Sequence, residues 1–283
     1  MSVVSSPAPR AFVAGWPIAH SRSPLIHRHW LDALGLAGSY ESVAVAPLDF
    51  ARFARALADQ GFVGGNVTVP LKERAYAYAD EKTEMARRIG AANTLWLENG
   101  RLCADNTDAA GFLAALDDEI PGWDDVGGDA VVIGAGGAAR AVVAALLSRG
   151  RDVTVVNRTL ENAQSISSSF RGLPVARDWG GLDAALRGAG LVVNATTLGM
   201  KGEPPLEVDL APLRADAVVA DIIYTPLETR LVAQARARGL RASGGLGMLL
   251  RQAAPAFARF FGATPEVTPE LRRLVEADVE KAA

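Results

Sequence analysis

Apolar residues along the chain come in short β-branched runs, separated by longer stretches with helical spacing. Phe12 to Gly15, Tyr40 to Val45 and Phe62 to Val69 read as strands, with helices from Ser23 to about Leu34 and from Leu48 to Gln60. Glu81 to Ile89 reads as a further helix, stopped by Gly90. Beyond Pro121 the runs Val131–Ile133, Leu191–Ala195 and Val218–Ile223 are short and apolar enough for buried parallel strands. Helices are expected from Gly137, over Thr229–Arg238, up to about Phe261 with a kink at Pro255, and after Thr268. Strands alternating with helices at this spacing predict an α/β chain. A domain change is marked only by the Pro121–Gly128 loop and again near Ser243.

The stretch from Asp129 to Thr159 organises the second half: strand, glycine-dense turn, apolar helix, second strand. Gly134, Ala135, Gly136, Gly137 and Ala138 form the turn, and Ala139 stands where a third glycine is usual. Glycines there permit a tight turn and close approach of an anion, and the helix presents free N–H groups to it. A tight turn with no ligand would use the same glycines, but the strand–turn–helix–strand context favours a Rossmann-type dinucleotide site. A carboxylate after the second strand would hold a free ribose 2′-hydroxyl. This chain offers Asn157, Arg158 and Thr159 instead, a set suited to a 2′-phosphate, so the expected cofactor is NADP. A solvated loop arginine is the other reading of Arg158.

The first half carries a different set of polar groups. Ser23 before Pro24 reads as a helix N-cap; Ser21 is not needed for that cap, and the two hydroxyls suit a carboxylate at a helix start. Asn66 and Thr68, two apart on an expected strand, face one side of an otherwise apolar run and need partners, which a polyhydroxylated ligand would supply. Lys72 follows near the next helix start, where a cation opposes the helix dipole. Asn99-Gly100 predicts a hairpin that carries Asn93 and Asn106-Thr107-Asp108 into one neighbourhood. Asp108 also reads as a cap for the helix Ala109–Leu116. Tyr224 lies past a strand's carboxyl end, where ligands of open α/β sheets gather, and Gln252 is the uncharged polar group of a largely apolar helix.

Composition narrows the function classes. Of 283 residues, 49% are hydrophobic and 22% charged, which fits a globular chain. The net charge of −3 favours neither nucleic acid nor an anionic membrane as partner. No stretch approaches the ~20 apolar residues of a membrane span. Cys103 is the single cysteine, so no disulfide framework or cysteine metal site is expected, and the compartment reads as cytoplasmic. The first nine residues read as a loose tail without signal-peptide character.

Taken together, Ser21-Arg22-Ser23-Pro24, Asn66-Val67-Thr68-Val69-Pro70-Leu71-Lys72, Ala92-Asn93-Thr94, Asn106-Thr107-Asp108, Gly134-Ala135-Gly136-Gly137-Ala138, Asn157-Arg158-Thr159, Asn194-Ala195-Thr196 and Gly245-Leu246-Gly247-Met248 resemble the shikimate dehydrogenase family across nearly the whole chain. The resemblance implies a two-domain enzyme that interconverts 3-dehydroshikimate and shikimate with NADPH, with a substrate domain of residues 1–108 plus 243–283 and a nucleotide domain of residues 109–242. It implies that Ser21, Ser23 and Tyr224 hold the substrate carboxylate. Thr68, Asn93, Asp108 and Gln252 would hold its hydroxyls, and Lys72, paired with Asp108, would be the acid/base. The glycine-rich turn and Asn157–Thr159 would hold the cofactor, Gly245 would offer backbone to the nicotinamide, and Glu84 and Ile222 would lie near the cofactor. Asn162 stands where relatives often carry a second arginine, and Ile222 where they carry a methionine. The expected partner is the small-molecule substrate alone, with a homodimer allowed for. The competing readings are a quinate/shikimate dehydrogenase with relaxed substrate or cofactor choice, an NADP-binding regulator on the same fold, and a more distant two-domain dehydrogenase.

Overall fold

The computed structural model describes residues 7–282, so residues 1–6 of the expected tail lie outside the described residues. Two compact units divide the chain: residues 7–87, 91–107 and 253–271 form one, and 88–90, 108–252 and 272–282 the other. Residues 243–252 and 272–282, which the sequence reading placed with the N-terminal half, thus cluster with the second unit.

The first unit is built on a six-stranded sheet ordered β2-β1-β3-β5-β6-β4. Along the chain run β1 (Arg10–Gly15), α1 (Ser23–Ala33), β2 (Ser39–Ala44), α2 (Phe50–Arg55), β3 (Phe62–Val67), α3 (Lys72–Tyr78), β4 (Glu81–Lys82), α4 (Glu84–Ile89), β5 (Thr94–Glu98) and β6 (Arg101–Asp105). Strands β1, β2 and β3 pair in parallel, while β5 is antiparallel to both β3 and β6. The β5–β6 hairpin turns at Asn99 and Gly100, both at positive φ (51° and 75°), as a two-residue turn of primed type requires. Core packing centres on Phe12, Phe50, Phe53, Phe62 and Leu95 on one face of the sheet. Gly65 sits in the central strand because a Cβ there would come within 2.4 Å of the Phe12 ring.

Two helices of this half differ from expectation. The helix expected over Leu48–Gln60 is confined to α2, and the chain passes through turns before β3. Glu81–Ile89 divides into the short edge strand β4 and then α4. Asp80 binds the Leu102 amide at 2.8 Å with its carboxylate, which draws the residues after it, Glu81 and Lys82, onto the sheet edge.

The second unit holds α5 (Asp108–Glu119), β7 (Ala130–Ile133), α6 (Gly137–Ser148), β8 (Val153–Val156), α7 (Leu160–Ser169), β9 (Val175–Arg177), α8 (Leu182–Leu186), β10 (Leu191–Asn194), β11 (Val218–Asp221), α9 (Arg230–Ala237), β12 (Arg241–Ser243), the start of α10 (Leu246–Phe261) and most of α11 (Pro269–Ala282). Its six strands are all parallel in the order β12-β11-β10-β7-β8-β9, the doubly wound dinucleotide-binding arrangement. Strands β7, β8, β10 and β11 are buried along their whole length, as parallel strands covered on both faces must be. Helix α10 runs without a break through Pro255, where a kink was expected. Its start crosses α5 closely: a Cβ on Gly111 would lie 2.7 Å from the Gln252 side chain.

Candidate active site

In the first unit the polar candidates gather where strands end and helices begin. The N-cap of α1 is Arg22, not Ser23, which is the first helical residue and is buried. Ser21 Oγ accepts the Ser23 amide at 3.4 Å, so the hydroxyl that sequence reasoning set aside makes the local bond. Asn66 lies in β3 and is buried, but its amide is engaged within the protein rather than waiting for a ligand. Its Oδ1 accepts the Tyr40 hydroxyl at 2.7 Å, and Nδ2 donates to the Asn93 carbonyl at 3.0 Å and Thr94 Oγ1 at 3.2 Å. Thr68 falls one residue beyond β3 and does not share a strand face with Asn66. Its amide donates to the Ala14 carbonyl at 2.8 Å, and its methyl packs over Gly15, where a Cβ would sit 2.6 Å away.

Lys72 is the first residue of α3 and half-buried, a cation at a helix N-terminus as the sequence suggested. Its carbonyl accepts the Ala92 amide at 2.9 Å, which ties α3 to the segment before β5. Asn93 grips Thr107 from across the hairpin: Asn93 Nδ2 donates to Thr107 Oγ1, and the Thr107 amide donates to Asn93 Oδ1, each at 2.9 Å. The hairpin therefore joins the two ends that the Asn99-Gly100 turn was expected to bring together. Asp108 is buried and is the first residue of α5, inside the helix rather than its cap. It belongs to the second unit and Lys72 to the first. Glu84 is exposed in the first turn of α4.

The second unit presents a cradle at the carboxyl ends of its strands. Gly134 has φ +114°, and a Cβ there would meet the Ala195 carbonyl and Thr196 at 3.0 Å. Gly136 is the N-cap of the twelve-residue α6, and nothing lies within 4 Å of where its Cβ would be. Ala135, Gly137 and Ala138 complete the turn into α6, and Ala139 is fully buried where the helix packs on the sheet. Among the described residues the first amides of α6 meet no hydrogen-bond partner and the space beside Gly136 is open, the environment a pyrophosphate requires. Past β8, Asn157 Nδ2 donates to the Thr159 carbonyl at 2.8 Å and shapes the loop that exposes Arg158. Thr159 is the N-cap of α7. Among the described residues no carboxylate pairs with Arg158, so its guanidinium is available to an anion.

Around β10 and β11 stands a buried network that sequence reasoning missed. Asn194 Nδ2 donates to Asp221 Oδ1 at 3.0 Å, Thr229 Oγ1 donates to Asp221 Oδ2 at 2.7 Å, and the Ile223 amide donates to Asp221 Oδ1 at 3.1 Å. Burial pushes the Asp221 carboxyl above its ordinary range, opposed by the bonds from Thr229, Ile223 and Asn194. This network fixes the strand end that leads to Ile222 and Tyr224, both half-buried. Gly245 is packed against that strand end: its amide donates to the Ile223 carbonyl at 2.9 Å, and a Cβ would meet the Ile222 carbonyl at 2.1 Å. Gln252 donates from Nε2 to the Leu249 carbonyl at 3.0 Å. A polar residue closing a buried parallel strand, as Asn194 and Asp221 do, was the available signal.

Comparison with known proteins gives a consistent answer. Residues 13–95 match the shikimate dehydrogenase substrate binding domain, and residues 124–199 match shikimate / quinate 5-dehydrogenase. A protein of Methylocella silvestris named shikimate dehydrogenase (NADP(+)) is 63% identical, covering 99% of this chain and 100% of its own. The chain belongs to the shikimate dehydrogenase family. Within that family, the Thermus thermophilus shikimate 5-dehydrogenase in complex with NADP(H) and shikimate is 38% identical, with a TM-score of 0.83 over 97% of this chain and 100% of that one. A Corynebacterium glutamicum quinate dehydrogenase in complex with NAD is 30% identical, with a TM-score of 0.85 over 96% of this chain and 100% of that one. Family membership sets the expected reaction type, and the groups described above must supply its chemistry.

Proposed function

We propose that this protein catalyses the reversible, NADP-dependent reduction of 3-dehydroshikimate to shikimate. The observation that carries the reading is full-length likeness, at 63% identity, to a protein named for that reaction. The residues present fit the cofactor: the α6 N-terminus opens at Gly136, and Arg158 projects unpaired from the loop after β8 with no carboxylate in the place that a 2′-hydroxyl would need. In this reading Gly134–Ala138 hold the pyrophosphate, Asn157–Thr159 the 2′-phosphate, and Glu84, Ile222 and the backbone of Gly245 border the nicotinamide end.

The cofactor supplies the hydride. The protein must hold the ring and manage one proton at the oxygen that changes between ketone and alcohol. Lys72 fills that role: an ammonium stabilises negative charge building on the oxygen and donates the proton to it, and the reverse reaction returns it. Asp108 is its acidic partner in this reading. Ser21, Ser23 and Tyr224 take the carboxylate, and Thr68, Asn93 and Gln252 take hydroxyls, so that the reacting carbon is presented in one orientation. The reading carries with it a cytoplasmic location and a step in chorismate and aromatic amino-acid biosynthesis.

A second reading, activity on quinate with NAD, is favoured by the likeness to the quinate dehydrogenase. Steady-state rates followed at the reduced-nicotinamide band, with shikimate or quinate and NADP or NAD, separate the two. The proposal requires shikimate with NADP to be the most efficient pair. Equal efficiency with NAD, or higher efficiency with quinate, contradicts it.

A further inference from the structure

A line of buried side chains in the first unit ends on Asn93, and its first member, Tyr40, also hydrogen-bonds the Ser23 side chain. Tyr40 begins it on the edge strand β2, with 6% of its surface exposed, and donates from its hydroxyl to Asn66 Oδ1 at 2.7 Å. Asn66 spends both amide hydrogens on the next members, the Asn93 carbonyl and Thr94 Oγ1. Thr94 Oγ1 in turn donates to Asn93 Oδ1 at 2.9 Å. That same oxygen also accepts the Thr107 amide at 2.9 Å and Thr107 Oγ1 at 3.3 Å.

These bonds settle how Asn93 is turned. An asparagine amide has one accepting end and one donating end, and a flip exchanges them. The Thr107 amide can only donate, so the end of Asn93 that it meets is the oxygen, and a flip would set nitrogen against it. The start of the line is held as firmly. The His27 ring stacks on Tyr40 with centroids 3.8 Å apart and planes 10° apart, and Trp30 and Phe257 surround it. The phenol hydroxyl is therefore held between two partners, Asn66 Oδ1 and the Ser23 side chain.

We propose that Tyr40, Asn66 and Thr94 are positioning residues which lock the Asn93 amide so that it meets substrate as a hydrogen-bond donor. Asn66 accordingly moves from a substrate contact, as first expected, to a support behind one. The consequence is selectivity for an acceptor oxygen at the position Asn93 serves. The inference rests on the reading of Asn93 as a substrate ligand under the proposed function.

The test is a double-mutant cycle on the full-length enzyme, read as KM for shikimate at saturating NADP+, with NADP+ affinity measured separately. Y40F removes one hydroxyl and leaves the ring stack. With Asn66 Oδ1 then short of its buried donor, KM should rise about tenfold while NADP+ affinity stays constant. In an N93A background the part of that rise carried through Asn66 should be lost, and what remains reports the hydroxyl's other partner, Ser23. T94V, which breaks the line one step closer to Asn93 without changing side-chain shape and away from Ser23, should raise KM about tenfold in the natural background and less than about twofold in N93A, and it decides the matter. An unchanged KM in T94V, or an equal rise of T94V in both backgrounds, overturns the inference. If N93A alone leaves KM unaltered, the ligand reading of Asn93 falls and the inference falls with it. If N93A weakens shikimate binding and Y40F and T94V do not, the inference alone is lost.

Discussion

The most quantitative consequence of the structure concerns His27. Its imidazole is fully buried among aromatic rings, and among the described residues neither ring nitrogen has a hydrogen-bond partner. Burial penalises the charged form and holds the group down at about 3, against 6.5 when exposed. The folded value is depressed, so the unfolded chain binds the proton more readily, and stability is lost as pH falls below 6.5. Each pH unit in that window is worth about 1.4 kcal/mol. From 6.5 to pH 5 this amounts to about 2 kcal/mol. His27→Phe keeps a ring against Tyr40 and removes the titration. Urea unfolding followed by tryptophan fluorescence, at pH 7 and pH 5, should show the natural protein losing about 2 kcal/mol more than the variant. His20 is also lowered, first by burial and then by Arg22, and Asp221 is raised by burial, but both remain in the two proteins and cancel in the difference. Equal losses in the two proteins would refute the assignment of a neutral, unpartnered His27.

Arg158→Ala should raise KM for NADPH about tenfold and leave that for NADH unchanged, since only the former carries the phosphate; parallel shifts with both would remove Arg158 from the cofactor site. Gly245→Ala places a Cβ 2.1 Å from the Ile222 carbonyl and must displace that strand end. A thermal melt should show a loss of about 1–3 kcal/mol, together with weaker cofactor binding. An unshifted melt would mean that the strand end yields freely.

The second unit was legible in the sequence because its strands are buried on both faces: Val131–Ile133, Leu191–Val193 and Val218–Ala220 stand out as unbroken apolar runs. The Asn99-Gly100 turn was legible for a local reason, since both residues tolerate positive φ. Edge elements were not. β4 and β9 have two and three residues and no pattern of their own, and pairing with a neighbour defines them. The starts of α1 and α5 were displaced by one residue because a serine or aspartate signals a cap equally well from either position. In the site, Asn66 was correctly marked as a buried amide needing partners. The partners proved to be Tyr40, Asn93 and Thr94, which lie 26, 27 and 28 residues away. No local pattern reports such separations.

The central claim is that Lys72, with Asp108, handles the proton in a shikimate-specific, NADP-dependent oxidation and reduction. The most direct measurement is turnover of shikimate with NADP+ by the natural enzyme, Lys72→Ala and Asp108→Asn, alongside NADP+ affinity for each. The account predicts turnover lowered ~10²-fold or more in Lys72→Ala, a clear loss in Asp108→Asn, and NADP+ affinity preserved throughout. Near-normal turnover in Lys72→Ala would contradict it.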